Sequence, residues 1–198
     1  MRIASLLQTI LAAAALTLAA GPSFAEDGSP DNTRGQNGAP YEEGEIVGLV
    51  SDFFQMTTKD AGKAVESVFS RFGRPNAYIE GEEGSGAFVV GLRYGKGQLF
   101  QKGREPVTVY WQGPSIGFDF GGNGSKCFTL VYNLDNQDQI FRRYPGLEGT
   151  FYFIAGIGVN YQQNGDIVLA PMRTGLGLRA GVNAGYLAYS RERDWLPL

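Results

Sequence analysis

The stretch from Gly117 to Lys126, GFDFGGNGSK, contains the residue types of a phosphate-binding loop, namely clustered glycines, a serine and a lysine. Such a loop needs the order GxxxxGK[ST] between a strand and a helix whose N-terminus faces the phosphates. Gly122 has the required spacing from Gly117, but Asn123 stands where the lysine should be, and the residues after Lys126 are typical of a strand. An Asn-Gly pair favours a two-residue hairpin turn. The stretch therefore predicts a turn, although Lys126 and exposed amides leave open a contact with an anion.

Carboxylates form a second candidate group. Glu80, Glu82 and Glu83 lie close together in a glycine-rich stretch. A pair of carboxylates can hydrolyse a glycosidic bond, but the surrounding glycines predict a turn in which these side chains are solvated. Asp119 differs because it lies within an apolar stretch, where it would either line a pocket or face solvent.

A compact basic segment, Arg142-Arg143-Tyr144, lies in a predicted short helix. Two neighbouring guanidinium groups could bind a phosphate or a sugar acid. The alternative is an ordinary solvated helix face. We name the following residues as possible contacts with a ligand or partner: Asp119, Lys126, Arg142, Arg143 and Tyr144.

Composition excludes several functional classes. The 198 residues include no histidine, which removes the commonest general base and metal ligand of proteins. Cys127 is the single cysteine, so the chain cannot form an intramolecular disulfide or a cysteine metal site, and we expect a buried strand residue there. A net charge of −3 gives no overall basic field for nucleic acid. We therefore expect no enzyme, no metal, no cofactor and no nucleic-acid partner.

The N-terminus has the pattern of a secretory signal peptide. Arg2 supplies positive charge, residues 3–20 form an apolar run, and small residues follow at Ser23 and Ala25. This pattern predicts cleavage between Ala25 and Glu26. We expect a periplasmic protein that is not an integral membrane protein once it has been processed.

The remaining chain divides into a leader and one domain. Residues 26–44 are almost without apolar side chains and predict a disordered leader. Residues 45–198 predict a single domain, beginning with a short strand at 46–50. Apolar residues then recur at helical spacing from Ala61 to Phe72, which predicts one amphipathic helix.

Strands and glycine turns dominate from Tyr78 onward. The predicted turns are Gly95-Lys96-Gly97 and Asn164-Gly165, a short helix falls within 133–144, and the predicted strands are 87–94, 98–102, 107–111, 115–120, 126–132, 150–162, 166–172 and 175–190. A sheet of this size tends to curl and close. The fold class is therefore all-β with minor α: a small antiparallel β-barrel of about eight to ten strands with one amphipathic helix and one short helix. An outer-membrane barrel is disfavoured because the strand faces carry too many polar residues for a lipid-facing band.

Two stretches, GPSIGFDFGGNGSKCFTLVYNL and FRRYPGLEGTFYFIAGIGVNYQ, resemble the envelope integrity protein A family of alphaproteobacterial periplasmic proteins. The likeness extends over nearly the whole chain from about Glu45. It implies a soluble periplasmic β-barrel that is needed for cell-envelope integrity and has no known catalytic residues. The C-terminal half is also distantly similar to SYLF domains, which bind membrane lipids, but this similarity concerns the fold alone.

These observations favour a non-enzymatic protein that supports the envelope by binding an envelope lipid, a lipopolysaccharide component or another glycolipid, or an envelope protein. One alternative is a purely structural interaction module whose barrel is filled by its own side chains. A carboxylate-based enzyme acting on glycans is a second alternative. An open apolar cavity would support a lipid site, whereas a filled interior would exclude an internal one.

Overall fold

The computed structural model describes residues 38–87, 90–116, 125–147, 152–174 and 185–193. Two α-helices come first, followed by ten strands and one 3-10 turn. The elements are α1 (Glu43–Phe54), α2 (Thr58–Phe72), β1 (Ala77–Ala87), β2 (Val90–Phe100), β3 (Val107–Ile116), β4 (Ser125–Tyr132), the 3-10 turn (Gln137–Ile140), β5 (Arg143–Pro145), β6 (Tyr152–Ile154), β7 (Ile157–Val159), β8 (Gln162–Asn164), β9 (Ile167–Arg173) and β10 (Tyr186–Ser190).

All ten strands belong to one antiparallel sheet, which confirms the predicted fold class. The strand order is β5-β10-β3-β2-β1-β4-β9-β7-β6, and β8 also pairs with β9. A bridge between Gly146 and Gln162 links the end of β5 to β8. The Leu147 amide donates a 2.9 Å hydrogen bond to the Tyr161 carbonyl beside this bridge. The sheet therefore curls until β5, at one end, reaches β8, which pairs with β9 toward the other end.

The two faces of the sheet bury two separate cores, because alternate residues of a strand point to opposite faces. On the outer face the two helices cover the sheet, and their apolar stripes pack on Tyr78, Phe128 and Leu130. The inner face is filled by aromatic and branched side chains, among them Ile79, Leu99, Val109, Trp111, Leu134, Ile140, Tyr144, Leu169 and Tyr189.

The structure confirms the predicted amphipathic helix, α2. The Thr57 hydroxyl accepts a 3.2 Å hydrogen bond from the Asp60 amide and caps the first turn. Ala61, Ala64, Val65 and Val68 are all buried. The helix ends at Gly73, whose φ of 73° lies in the region that glycine tolerates best.

The predicted strand at 46–50 is wrong, because these residues lie in α1. Glu42 and Glu45 form a capping box at its start, and Ile46 and Val50 are buried one helical turn apart. A short apolar run does not distinguish a buried strand from a helix by its period alone. Tyr41, within the predicted leader, is 9% exposed and packs edge-on against Tyr78.

Two predicted turns lie inside strands. The segment 95–97 belongs to the continuous strand β2, and Glu80, Glu82 and Glu83 belong to β1. The glycines serve packing here, since Gly81 pairs directly with Gly97 across the two strands. A Cβ atom on Gly81 would lie 2.4 Å from the Lys96 carbonyl oxygen and 2.6 Å from Cη2 of Trp111, so glycine is required by this close packing rather than by a turn.

The C-terminal half follows its prediction in part. The hairpin predicted at Asn164-Gly165 joins β8 to β9, but Asn164 pairs with Ile167 and the turn itself is Gly165-Asp166. The predicted single strand 150–162 is instead divided among β6, β7 and β8, with a turn at Ala155-Gly156 where both φ angles are positive. The predicted short helix within 133–144 is reduced to the 3-10 turn.

Some predictions fall outside the described residues. They include Asn123-Gly124 and most of 175–190. The strands flanking 117–124 are not paired with each other, because β3 pairs with β2 and β10 whereas β4 pairs with β1 and β9. Among the described helices, none combines the length and apolar character needed to cross a membrane.

Candidate functional site

A groove of about 500 Å³ lies over the middle of β1, β2 and β3. Its lining residues are Gly81, Glu82, Glu83, Gly84, Tyr94, Gly95, Lys96, Gly97, Gln98, Tyr110, Trp111, Gln112 and Arg193. Four of the lining residues on β1 and β2 are glycines, so the backbone is accessible between the longer side chains. The groove therefore combines exposed peptide groups with aromatic, amide and charged side chains.

The strand register places the central side chains of the groove in one row. Glu82 lies opposite Lys96, and Lys96 lies opposite Tyr110. Side chains opposite each other on neighbouring strands have Cβ atoms about 4.5–5.5 Å apart. The Lys96 ammonium lies 5.7 Å from the centre of the Tyr110 ring. An acid, a base and an aromatic ring thus follow one another across the groove.

Two further rows flank this one on the same face. Tyr94 lies opposite Gln112, and Gln98 lies opposite Thr108. The Gln98 amide donates a 2.9 Å hydrogen bond to the Thr108 hydroxyl, which fixes the orientation of the amide. Two half-buried tyrosines are therefore neighbours of Lys96, Tyr94 two residues before it on β2 and Tyr110 opposite it on β3, and Gln112 lies opposite Tyr94.

Trp111 supports the groove from the inner face of the sheet. Its indole ring occupies the space that a side chain on Gly95 would need, and it reaches as far as Gly81. The indole nitrogen donates a 3.1 Å hydrogen bond to Oε2 of Glu83. Trp111 is almost completely buried, so the wall behind the groove is a fixed aromatic plane.

A buried ion pair lies beside Trp111. Nε of Arg173 donates to Oε1 of Glu83, and Nε of Arg93 lies 3.8 Å from the same oxygen. Burial opposes the charge on Glu83, but the two guanidinium groups and the hydrogen bonds from Arg173 and Trp111 hold the pKa of its carboxyl below the usual value. Burial likewise opposes charge on Arg173, and Glu83 more than offsets it, so the pKa of the guanidinium lies above its usual range. Both groups are charged at neutral pH.

Cys127 lies near this ion pair and is buried and unpaired with another cysteine, as the sequence predicts. Burial, reinforced by the Glu83 charge, raises the pKa of its thiol to about 11. The thiolate is the reactive form of cysteine. Cys127 is therefore a poor nucleophile at neutral pH.

The carboxylates do not form a facing pair at the groove. Glu82 lies on the groove face, whereas Glu83 points to the inner face and is engaged by Arg173. Glu80 lies on the face of Glu82 but is not part of the groove lining, and burial raises the pKa of its carboxyl. Within the described ranges, no cluster of three acidic or cysteine side chains could hold a metal ion.

Comparison with known proteins identifies the relatives of this chain. The sequence model of the family described as envelope integrity protein A, EipA, matches residues 39–198. The chain belongs to the EipA family. A solved structure described as a beta-barrel-like, uncharacterised protein from Brucella abortus is 48% identical, with a TM-score of 0.74, and the match covers 80% of this chain and 99% of that one. No curated protein matches the chain.

The structure of this EipA-family chain separates the predicted contact residues from one another. Lys126 lies opposite Glu82, beside the groove, but its ammonium donates a 2.7 Å hydrogen bond to the Phe53 carbonyl at the end of α1. Arg142 and Arg143 are exposed and are not among the groove lining residues, and Arg143 lies over the Tyr186 ring.

Tyr144 is a core residue rather than a surface contact. Its side chain is fully buried, and its hydroxyl donates a 3.1 Å hydrogen bond to the Gln139 carbonyl. Asp119 and the predicted cleavage residues Ala25 and Glu26 lie outside the described residues.

Sequence reasoning missed the groove residues of the EipA-family chain because it divided β2 at its glycines. In the segment 90–100, Tyr94, Lys96 and Gln98 alternate with Gly95 and Gly97. That alternation has the period of a single strand. Treating 90–100 as one strand would have placed all three polar side chains on one face.

Proposed function

We propose that this EipA-family protein is a periplasmic, non-enzymatic protein that supports envelope integrity by binding the sugar part of an envelope glycan or glycolipid. The proposed binding site is the groove over β1, β2 and β3. Membership of the family supports the role in the envelope. The chemical character of the groove supports the class of ligand.

The observation that carries the proposal is the combination of tyrosines and planar polar groups in one open groove. A pyranose ring has an apolar C–H face that packs on aromatic rings and a rim of hydroxyls that need hydrogen-bond partners. Tyr94 and Tyr110 offer the rings, while Gln98, Lys96 and Glu82 offer donors and acceptors. Small-ligand sites typically combine an aromatic surface with a few polar groups that orient the ligand.

The interior of the barrel favours a surface site. The described inner face is filled by Trp111, Tyr144, Tyr189 and branched aliphatic side chains. Among the described residues, this packing leaves no room for an acyl chain. An envelope lipid would therefore be held by its sugar headgroup in the groove, and a lipopolysaccharide component is the partner that meets this requirement best.

The absence of catalysis is part of the proposal. Glycoside hydrolysis ordinarily uses two carboxylates that flank the bond. Of the carboxylates in the described lining, Glu82 lies on the groove face and Glu83 is committed to Arg173. The N-terminal signal pattern of residues 1–25 supports the periplasmic location.

Isothermal titration calorimetry on the purified protein tests the proposal with three probes: lipopolysaccharide-derived polysaccharide freed of lipid A, soluble peptidoglycan fragments, and phospholipid vesicles. We expect saturable binding of a saccharide probe and none of the vesicles. Tyr110→Ala should weaken it about tenfold, since an aromatic contact contributes about 0.5–1.5 kcal/mol beyond its buried area. Phe153→Ala is the matched control, because Phe153 is an exposed aromatic residue on β6, outside the groove.

Other results would change the proposed ligand, function or site. Binding of vesicles but of neither saccharide probe would replace the glycan with the lipid itself. Binding of no probe would favour the alternative of an interaction module, which the filled interior also suits. Loss of affinity in Arg142→Ala but not in Tyr110→Ala would move the site to the basic segment named from the sequence.

A further inference from the structure

A row of side chains connects the groove to a basic residue on another strand. Directly opposed residues of β1, β2, β3, β10 and β5 form this row, and they are Gly84, Tyr94, Gln112, Ala188 and Arg143. Directly opposed residues point to the same face of a sheet. Neighbouring strands are about 4.7–4.9 Å apart, so Arg143 lies about 14 Å from Tyr94 along the row. Arg143 is therefore on the face of the groove, although it lies beyond the groove lining.

Small side chains on β10 lie between the groove and Arg143. Ala188 is opposite Gln112, and Ser190 is opposite Tyr110. The Ser190 hydroxyl donates a 2.7 Å hydrogen bond to the Glu192 carbonyl, so it is directed along its own chain. Among the described residues, the path from the groove across β10 therefore crosses only an alanine or a serine in these rows.

A tyrosine ring supports the cation at each end of this surface. The Arg143 guanidinium lies 5.3 Å from the centre of the Tyr186 ring. The Lys96 ammonium lies 5.7 Å from the centre of the Tyr110 ring. A cation over the face of an aromatic ring is attracted by the ring. Both cations are exposed, so each is oriented by its tyrosine and remains accessible to a ligand.

The charge of the surface is positive, although the chain as a whole carries a net charge of −3. The adjacent row consists of Lys126, Glu82, Lys96, Tyr110 and Ser190. Together the two rows contain three cations and one carboxylate, which are Lys126, Lys96, Arg143 and Glu82. Glu80 lies in the next row, where burial raises the pKa of its carboxyl. A local positive field of this kind attracts an anionic ligand.

Arg143 is the cation whose charge is least balanced. Glu82 lies between the two lysines of its row, whereas the row of Arg143 contains no acidic residue. Within the described ranges, Arg143 forms no ion pair. Its guanidinium can therefore donate paired hydrogen bonds to the oxygens of a phosphate or a carboxylate.

We infer that the surface selects an acidic saccharide, with sugar rings in the groove and a phosphate or carboxylate substituent bound by Arg143. The inference rests on the proposed sugar-binding function of the groove and adds the class of saccharide. The distance from Tyr94 to Arg143 exceeds the width of one pyranose ring, so the ligand is an oligosaccharide.

Calorimetric titration tests the inference with lipopolysaccharide-derived polysaccharide freed of lipid A. The probe is used in four forms: untreated, dephosphorylated, with its carboxyl groups reduced to alcohols, and with both treatments. Soluble peptidoglycan fragments are treated and titrated in the same way. We expect the untreated form to bind about fivefold more tightly than the doubly treated form, which is about 1 kcal/mol. The two single treatments distinguish a phosphate from a carboxylate, and added sodium chloride should weaken the untreated form most.

Arg143→Gln is the decisive variant, because it removes the charge from an exposed position and should leave the fold intact. It should bind the untreated probe about fivefold more weakly and the doubly treated probe as the parent protein does. Arg142→Gln is the matched control, since it removes the same charge from the adjacent exposed residue, which lies in neither row. This control should bind all forms as the parent protein does.

The outcomes separate this inference from the proposed function. Equal affinity of the parent protein for all four forms would overturn the preference for an acidic saccharide and leave sugar binding in the groove intact. An equal loss of affinity in Arg142→Gln and Arg143→Gln would show a general effect of charge and would overturn the assignment to Arg143. If neither the untreated polysaccharide nor the peptidoglycan fragments bind, the proposed function fails, and the inference fails with it.

Discussion

Replacement of Gly95 by alanine tests how the groove is built. A Cβ atom at this position would overlap the indole ring of Trp111, with carbon and nitrogen atoms of the ring as its nearest neighbours. The ring is enclosed on the inner face and almost without solvent exposure. It cannot move aside without disturbing the core, so Gly95→Ala should force Trp111 out of its place.

The magnitude follows from two losses. Overpacking a well-packed core costs about 1–3 kcal/mol. Displacement of the indole also breaks its hydrogen bond to the charged Glu83 carboxylate, which contributes about 1.5–3 kcal/mol. Together these predict a decrease of about 3–5 kcal/mol in the free energy of unfolding. For a domain of this size, that decrease lowers the melting temperature by about 10 °C.

Urea unfolding followed by circular dichroism measures the change, and the near-ultraviolet spectrum reports the environment of Trp111. Gly84→Ala is the matched control, because Gly84 lies in the neighbouring strand and no atom lies within 4 Å of a Cβ placed there. We expect the control to change stability by less than about 1 kcal/mol. If Gly95→Ala unfolded at the same urea concentration as the control and kept the parent spectrum, Trp111 would not occupy the space beside Gly95 in solution.

Three further predictions concern the ion pair, the helix cap and the thiol. The folded-state pKa of Glu83 lies below its ordinary value of 4.5, so the stability it contributes is complete above about pH 4.5 and is lost as the pH falls through the folded pKa. Urea unfolding between pH 7 and pH 3 should therefore show that the free energy of unfolding falls toward acid pH, and that it falls less in Glu83→Gln. At pH 7 this variant should be about 3–5 kcal/mol less stable than the parent protein, because Arg173 loses its partner. Thr57→Ala removes the cap of α2 and should lower the free energy of unfolding by about 1 kcal/mol in the same assay. A variant as stable as the parent protein would show that the cap does not stabilise the helix. Cys127 should not react with a thiol reagent at pH 7.5 until the protein is unfolded, and rapid modification of the native protein would contradict its burial.

The fold class was predictable because the evidence for it is local and repeated. The strands predicted at 126–132 and 166–172 match β4 and β9 closely, and Asn164-Gly165 marked the hairpin before β9. The capped apolar stripe of α2 was equally clear. Closure of the barrel depends on the contact of Gly146 with Gln162, which no local sequence pattern predicts.

The wrong predictions have one physical cause. Glycines occur both in turns and at close packing contacts, and a short apolar run can form either a strand or a helix. Gly95 and Gly97 predict a turn, but in the structure Gly95 makes room for the Trp111 indole and Gly97 makes room for the Glu80 backbone on the neighbouring strand. The run at 46–50 fits a strand or a helix, and the capping box at Glu42 was the signal that could have decided between them. Long-range packing, rather than local preference, settled both cases.

The candidate site was less predictable than the fold. Glu83 and Arg173 are 90 residues apart in the chain, and single-sequence reasoning offers no way to pair them. The basic segment 142–143 is a candidate in the sequence because of its local density of charge, but its exposed side chains are not among the groove lining residues. Sites formed by cross-strand neighbours require the register, which only the structure supplies.

The most direct test of the account is a chemical-shift map of the 15N-labelled protein with a saccharide fragment from the envelope polysaccharide. We expect the perturbed backbone amides to cluster at 81–84, 94–98 and 110–112, on the three strands that line the groove. Amides of the filled interior, such as those of Leu169 and Leu134, should be unaffected. Shifts confined to another face, or none at a saturating concentration of the fragment, would contradict the central claim that the groove is a glycan-binding site.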